Sequence, residues 1–188
     1  MLEAVDPSAS ERPVDNPTFR YFLEEAALWR RAQVSAADVV DAAVQALLDG
    51  IESRSFVLIA GLSRAEADAE LHELLPTALD ELGLDCLGYN DPNNDVLAAA
   101  ALARSFLGGH LEAQQFTQAI HQIFGHMCHP IVEQLSILDD SFDTLDVVPT
   151  PTREQLVSKT LVAAKNLRDK ADEICFQAQG GETGQTDA

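Results

Sequence analysis

The chain has 188 residues, 46% of them hydrophobic and 6% aromatic, and a chain of this length can bury about 70% of its unfolded surface in one core. The apolar residues are mostly Ala, Leu, Val and Ile, which favours closely packed helices over β-strands. The formal charge of −19, from 31 acidic and 12 basic residues, argues against direct nucleic-acid binding and favours a protein partner with a basic surface.

The three cysteines are widely spaced and form no C-x-x-C pair, as expected in a reducing compartment. The first 17 residues contain Asp, Ser, Glu and Pro where a secretory signal would have a basic region and an apolar run. No stretch reaches the roughly 18 apolar residues that a membrane span requires. The sequence therefore predicts a cytoplasmic protein without membrane spans.

Both ends of the chain are predicted to be disordered. Residues 1–15 are polar and contain prolines, and residues 179–188 have almost no apolar side chains to bury. Residues 16–178 are predicted to form a single helical domain.

Two amphipathic helices are predicted first. Asn16 followed by Pro17 is typical of an N-cap and a first helical turn, and the apolar spacing continues to about Arg31. A second helix is predicted from Ser35, which has an aspartate three residues later, to Gly50, because apolar pairs recur there every four residues.

The next segment contains an ambiguous apolar run. Residues 56–60 fit either a buried strand or a buried helical turn, and helix is predicted because no second strand is present to pair with it. Ser63 and Glu66 predict a capping box for a helix that ends at Gly83. Pro76 lies inside that helix and should kink it or start a new helix.

The second half of the chain alternates between turn-forming and helix-periodic segments. Loops are predicted at residues 88–94 and, because of their acidic and proline-rich composition, at residues 139–151. Helices are predicted at residues 96–107, 111–126, 130–138 and 152–178. The whole pattern predicts an all-α fold, an irregular bundle of about six to eight helices.

The last predicted helix has apolar residues at three-four spacing for about six turns. Such a stripe either packs along the bundle or forms a seam with a second copy, so a homodimer is one alternative for this chain.

A histidine cluster is the best candidate for chemistry. Imidazole and thiolate are ligands of zinc and related metals. On a continuous helix, His126, His129 and Glu133 would share one face, although Pro130 is expected to break that helix. The metal hypothesis, with zinc as the cofactor, uses His121, His126, Cys128, His129 and Glu133.

Two further features suggest a binding surface. Trp29 precedes the chain's only adjacent basic pair, and Trp and Arg are enriched at binding hot spots, although an inward-packed Trp is the alternative. The predicted acidic loop lacks the glycine and the closing glutamate of a calcium loop, so it is interpreted as negative charge offered to a basic partner. Its aspartates are Asp139, Asp140, Asp143 and Asp146.

Motifs of catalysis and phosphate binding are missing from the sequence: neither G-x-S-x-G, G-x-x-x-x-G-K-[ST] nor G-x-G-x-x-G occurs. The stretches AGLSRAEADAELHELLPTALDELGLD, at residues 60–85, and LARSFLGGHLEAQQFTQAIHQIFG, at residues 102–125, resemble segments of small helical bacterial proteins of unknown or immunity-type function that are encoded beside secreted toxins. The resemblance implies an acidic cytoplasmic protein that blocks a toxin domain without catalysis.

The leading prediction is thus a non-enzymatic helical interaction protein, immunity-like or antitoxin-like, that binds a basic partner. A metal-binding enzyme or sensor and a structural homodimer are the alternatives.

Overall fold

The computed structural model describes residues 13–51, 53–84, 91–148 and 150–178. These residues form a short 3-10 helix and eight α-helices, without a β-strand, so the predicted all-α fold is confirmed. The helices are α1 (Pro17–Arg30), α2 (Ala36–Leu48), α3 (Arg54–Ala60), α4 (Ala67–Glu81), α5 (Asn93–Leu107), α6 (Ala113–Phe124), α7 (Pro130–Asp143) and α8 (Arg153–Ala178).

The predicted disordered ends fall mostly outside the described residues. Pro13–Asp15, which the sequence assigned to the disordered N-terminal segment, form the 3-10 helix that leads into α1. None of the described helices combines the length and the apolar character that a membrane crossing requires.

Helix α5 lies at the centre of the bundle and contacts α1, α6, α7 and α8. Its alanines 98–101 and Ala103 are all buried, and such small side chains allow neighbouring helices to approach closely. Helix α3 joins this core through α2 and α4. Its Phe56 ring lies 4.8 Å from the ring of Phe22 and 6.0 Å from that of Phe19, measured between centroids.

The predicted helix starts at Asn16 and Ser35 agree with the structure. The Asn16 side chain accepts hydrogen bonds from the backbone N–H groups of Thr18 and Phe19. Ser35 and Asp38 form a reciprocal capping box. The apolar run at residues 56–60 is helical, as predicted, and Ser53 caps that helix.

Helix α4 does not have the predicted capping box, and of the two alternatives predicted at Pro76 the new helix start does not occur. The helix starts at Ala67 and has no side-chain hydrogen bond at its N-cap, Glu66. Ser63 lies in the turn before the helix, where its Oγ donates a 2.6 Å hydrogen bond to a carboxylate oxygen of Glu66. The two residues therefore do not form the predicted capping box. The helix also continues through Pro76 without a new start. Pro76 is exposed to solvent.

Helix α7 is longer than predicted. It ends at Asp143, whereas the sequence predicted its end at residue 138 and an exposed loop from residue 139. The buried residues of α7 explain the extension, because the three-four spacing of the buried face continues beyond residue 138. These residues are Val132, Leu135, Ser136, Asp139 and Phe142.

The apolar stripe of α8 is covered by the same chain. Helix α8 packs against α5 and α7, and Leu156, Ala164 and Leu167 are fully buried. This face therefore belongs to the core and is not available as a seam for a second copy.

A buried charge cluster joins α1, α5 and α8. Glu24 is only 3% exposed, and its carboxylate pairs with the guanidinium groups of Arg104 and Arg168. Burial raises the pKa of Glu24, and the two arginines oppose that shift. Because the two cations come from different helices, the carboxylate links α1 to both α5 and α8.

Replacing Glu24 with Gln should destabilise the fold, since it removes the buried counter-charge of Arg168 and the closer of the two carboxylates that pair with Arg104. We expect Glu24→Gln to lower the free energy of unfolding by about 3 kcal/mol, measured by urea denaturation. Glu73→Gln, at an exposed position of α4, is the matched control and should have little effect. Equal stability of the two variants would contradict a structural role for the cluster.

Candidate metal centre

The connection between α6 and α7 places His126 beside both helices. Gly125 ends α6 with φ +62° and ψ −149°, a backbone conformation that residues other than glycine rarely adopt. Ser136 Oγ of α7 donates a 2.7 Å hydrogen bond to the Gly125 carbonyl oxygen. This bond holds the connection against α7, and with it the neighbouring His126.

Three potential metal ligands converge at this point, one from α6, one from the connection and one from α7. They are His121, His126 and Asp140, and one ligand atom of each lies within 4.8 Å of the other two. His126 Nε2 is 3.3 Å from Asp140 Oδ2. His121 Nδ1 is 3.7 Å from Asp140 Oδ1 but closer, at 2.9 Å, to Asp139 Oδ2. The two imidazole rings are 4.7 Å apart between centroids.

These separations suit a small transition metal ion. Zinc binds nitrogen and carboxylate oxygen at about 2.0–2.2 Å, so two ligand atoms of a tetrahedral site lie about 3.4 Å apart. The His126–Asp140 pair already has this spacing, and side-chain rotation can bring in the third ligand. His126 and Asp140 are exposed and His121 is half-buried, so an ion can reach the site from solvent.

A buried carboxylate, that of Asp139, contacts His121 of the cluster. Asp139 is 5% exposed, and its Oδ2 is 2.9 Å from His121 Nδ1. Its Oδ1 accepts a 3.3 Å hydrogen bond from Thr117 Oγ1. Metal-binding histidines commonly donate one ring N–H to such a carboxylate, which fixes the orientation of the ring, and bind the ion through the other nitrogen. Because Asp139 engages Nδ1, His121 would bind an ion through Nε2.

The other ligands predicted from sequence are engaged elsewhere. His129 is the N-cap of α7, where its Nδ1 accepts a 3.3 Å hydrogen bond from the Ile131 N–H. Burial, with a smaller effect of Lys170, lowers the pKa of His129. Pro130 starts α7 immediately after it, so His126 and His129 do not share a helical face.

Cys128 and Glu133 stabilise the same connection. A Glu133 carboxylate oxygen accepts a 3.3 Å hydrogen bond from the Met127 N–H. Cys128 Sγ lies 3.8 Å from the Gly125 carbonyl oxygen, and burial raises the pKa of its thiol. Of the five predicted ligands, the described geometry groups only His121 and His126, and it adds Asp140.

The predicted partner-binding residues separate into different environments. Asp143 and Asp146 are exposed near the end of α7, whereas Asp139 is buried and Asp140 faces the histidines. Trp29 packs against the hydrophobic core, and its ring centroid is 4.6 Å from that of His72. The inward-packed alternative for Trp29 is therefore the one observed.

Sequence reasoning missed the roles of Asp139 and Asp140 because it placed both in a loop. A signal was present in the spacing of Leu135, Asp139 and Phe142, which continues one helical face. An aspartate at a buried position of such a face must have a polar partner, because an unpaired buried carboxylate is costly.

Comparisons with known proteins identify no relative. No protein-family model matches the chain, and neither a curated protein nor a solved structure shows significant similarity to it. The bundle and its site are therefore interpreted from their own geometry.

Gly125 should be required for the conformation of the connection. A Cβ atom there would meet nothing within 4 Å, so any loss in Gly125→Ala comes from backbone strain, and we expect about 1–3 kcal/mol in urea denaturation. Gly61→Ala is the control, because Gly61 has φ −89° and its nearest neighbouring atom would be 3.5 Å away. A destabilisation no larger than that of Gly61→Ala would contradict the strain argument.

Proposed function

We propose that this protein binds one divalent transition metal ion, with zinc as the first candidate, through His121, His126 and Asp140. The observation that carries the proposal is the convergence of two imidazoles and one carboxylate from three separate segments of the chain, within 4.8 Å. The buried Asp139 behind His121 supports it.

The chemistry of the donor set indicates the class of metal. Imidazole nitrogen suits zinc, copper, nickel and iron, whereas calcium and magnesium prefer sites made of oxygen alone. Three protein ligands leave one position of a tetrahedral site for water or for another molecule. Such a site is accessible from solvent, unlike a structural zinc site, in which four protein ligands occupy all positions around the ion.

The burial of Asp139 argues for a bound cation over a set of ordinary surface ion pairs. Surface pairs contribute little to stability, and a carboxylate that is 5% exposed loses much of its hydration. A metal ion on His121 Nε2 would increase the positive charge of the imidazole ring whose Nδ1 contacts Asp139, and this would offset that loss.

The test is zinc titration of the purified chain by isothermal calorimetry, with unfolding followed in parallel. We expect one zinc ion per chain, and zinc at about 100 times its dissociation constant should stabilise the fold by about 2.7 kcal/mol. His121→Ala and His126→Ala should each abolish both effects. His110→Ala, at an exposed histidine outside the cluster, should leave them unchanged.

Two further variants separate the observed site from the set of ligands predicted by sequence. Asp139→Asn should weaken zinc binding about 10- to 100-fold, as expected for a partner of a ligand. Cys128→Ser should have no effect on affinity. The absence of stoichiometric zinc, or equal binding by His121→Ala and the unmodified chain, would overturn the proposal.

We propose docking of a basic protein as a second function, on the basis of the end of α7 and the segment that follows it. Asp143, the last residue of α7, and Asp146 are exposed, and Val147 is 83% exposed. Acidic groups beside an uncovered apolar side chain combine electrostatic attraction with a surface that gains from burial. The immunity-like role implied by the sequence resemblance is a specific version of this proposal.

Affinity capture from lysate at low and high salt tests this second function. A basic partner should bind at low salt and be released as ionic strength rises. The double variant Asp143→Asn, Asp146→Asn should lose it, whereas Asp68→Asn, Asp80→Asn, at exposed positions of α4, should retain it. Failure to recover a partner, or a complex insensitive to salt, would contradict the electrostatic docking.

A further inference from the structure

A groove lies between α7 and α8. Its volume is about 450 Å³, which lies within the range of small-molecule sites. Its apolar wall comes from Ile137 and Leu138 of α7 and from Val162 and Ala163 of α8. Ile137 is 52% exposed and Val162 is 58% exposed, so a ligand could cover both side chains.

The two helices run antiparallel along this groove. Leu156 packs with Phe142 at one end, and Lys170 acts electrostatically on His129 at the other. The lining on α8 extends from Ser158 to Asn166, a length of about 12 Å at 1.5 Å per residue. The groove is therefore elongated, and an extended alkyl chain fits along it.

The α8 wall of the groove differs in charge from the whole chain. Although the net charge is −19, α8 has no acidic residue between Gln155 and Arg168. Lys159 lines the groove, and no carboxylate of the described residues lies within 4.0 Å of its ammonium group. An apolar groove with the single ammonium group of Lys159 is complementary to an apolar molecule with one anionic group.

We infer that this groove binds a small amphiphile, a linear aliphatic monocarboxylate whose carboxylate pairs with Lys159 and whose alkyl chain lies between Ile137 and Val162. The ligand carries a single charge, so repulsion by the acidic chain is smaller than for an acidic protein segment. A second copy of the chain would bring a further net charge of −19 to the same face.

Decanoate is the probe, titrated by isothermal calorimetry into the full chain with a chelator present to keep the metal site empty. We expect saturable binding with one site per chain. Val162→Asp should weaken the binding at least tenfold, because it places a negative charge where the alkyl chain lies. Val157→Asp is the matched control, since Val157 is also exposed on α8 but does not line the groove, and it should bind decanoate normally.

The role of Lys159 is tested by comparing charged and neutral ligands. Lys159→Ala should weaken decanoate binding about tenfold and leave the binding of decanol unchanged. Lys165→Ala, at an exposed lysine of α8 that does not line the groove, should change neither. Circular dichroism of each variant verifies that the helices are intact.

Three results would overturn the inference. The first is no saturable binding of decanoate by the unmodified chain. The second is decanoate binding that Val162→Asp and Val157→Asp affect equally. The third comes from light scattering without ligand: a dimer that Val162→Asp converts to a monomer would mean that a second copy covers the groove.

Discussion

Close packing around α5 is the constraint on which the rest of the bundle depends. Four helices contact α5, and only small side chains allow so many neighbours to approach one helix. Its five buried alanines supply that surface. The same packing brings Arg104 of α5 and Arg168 of α8 to Glu24 of α1. The buried ion cluster is thus a consequence of helix approach, and it links the three helices through one carboxylate.

Helix α7 connects this core to both candidate binding sites. Its buried face packs into the bundle, Asp140 contributes to the metal cluster, and Ile137 lines the groove with α8. The hydrogen bond from Ser136 to Gly125 fixes the connection that carries His126. Because the ligands are positioned by packed helices and a pinned connection, metal binding would require little rearrangement, and this reduces the entropic cost of binding.

Local sequence signals were most reliable where a single residue determines the backbone conformation, as at a helix start. The N-caps at Asn16 and Ser35 were predicted correctly because a side-chain oxygen satisfies free N–H groups of the first turn. Composition was less reliable at the end of α7, where four aspartates suggested a loop although buried residues continue at helical spacing. Pro76 likewise did not start a new helix, because α4 runs through it from Ala67 to Glu81.

Local patterns in the sequence were enough to predict that the chain is helical and where most helices begin, and its histidines are visibly concentrated in one segment. Periodicity and capping are local, so they can be read without knowing the fold. Which ligands meet depends instead on how the helices pack. His121 and Asp140 are 19 positions apart and become neighbours because α6 packs against α7. Contacts between helices depend on their rotation and register, which the sequence of one helix does not specify.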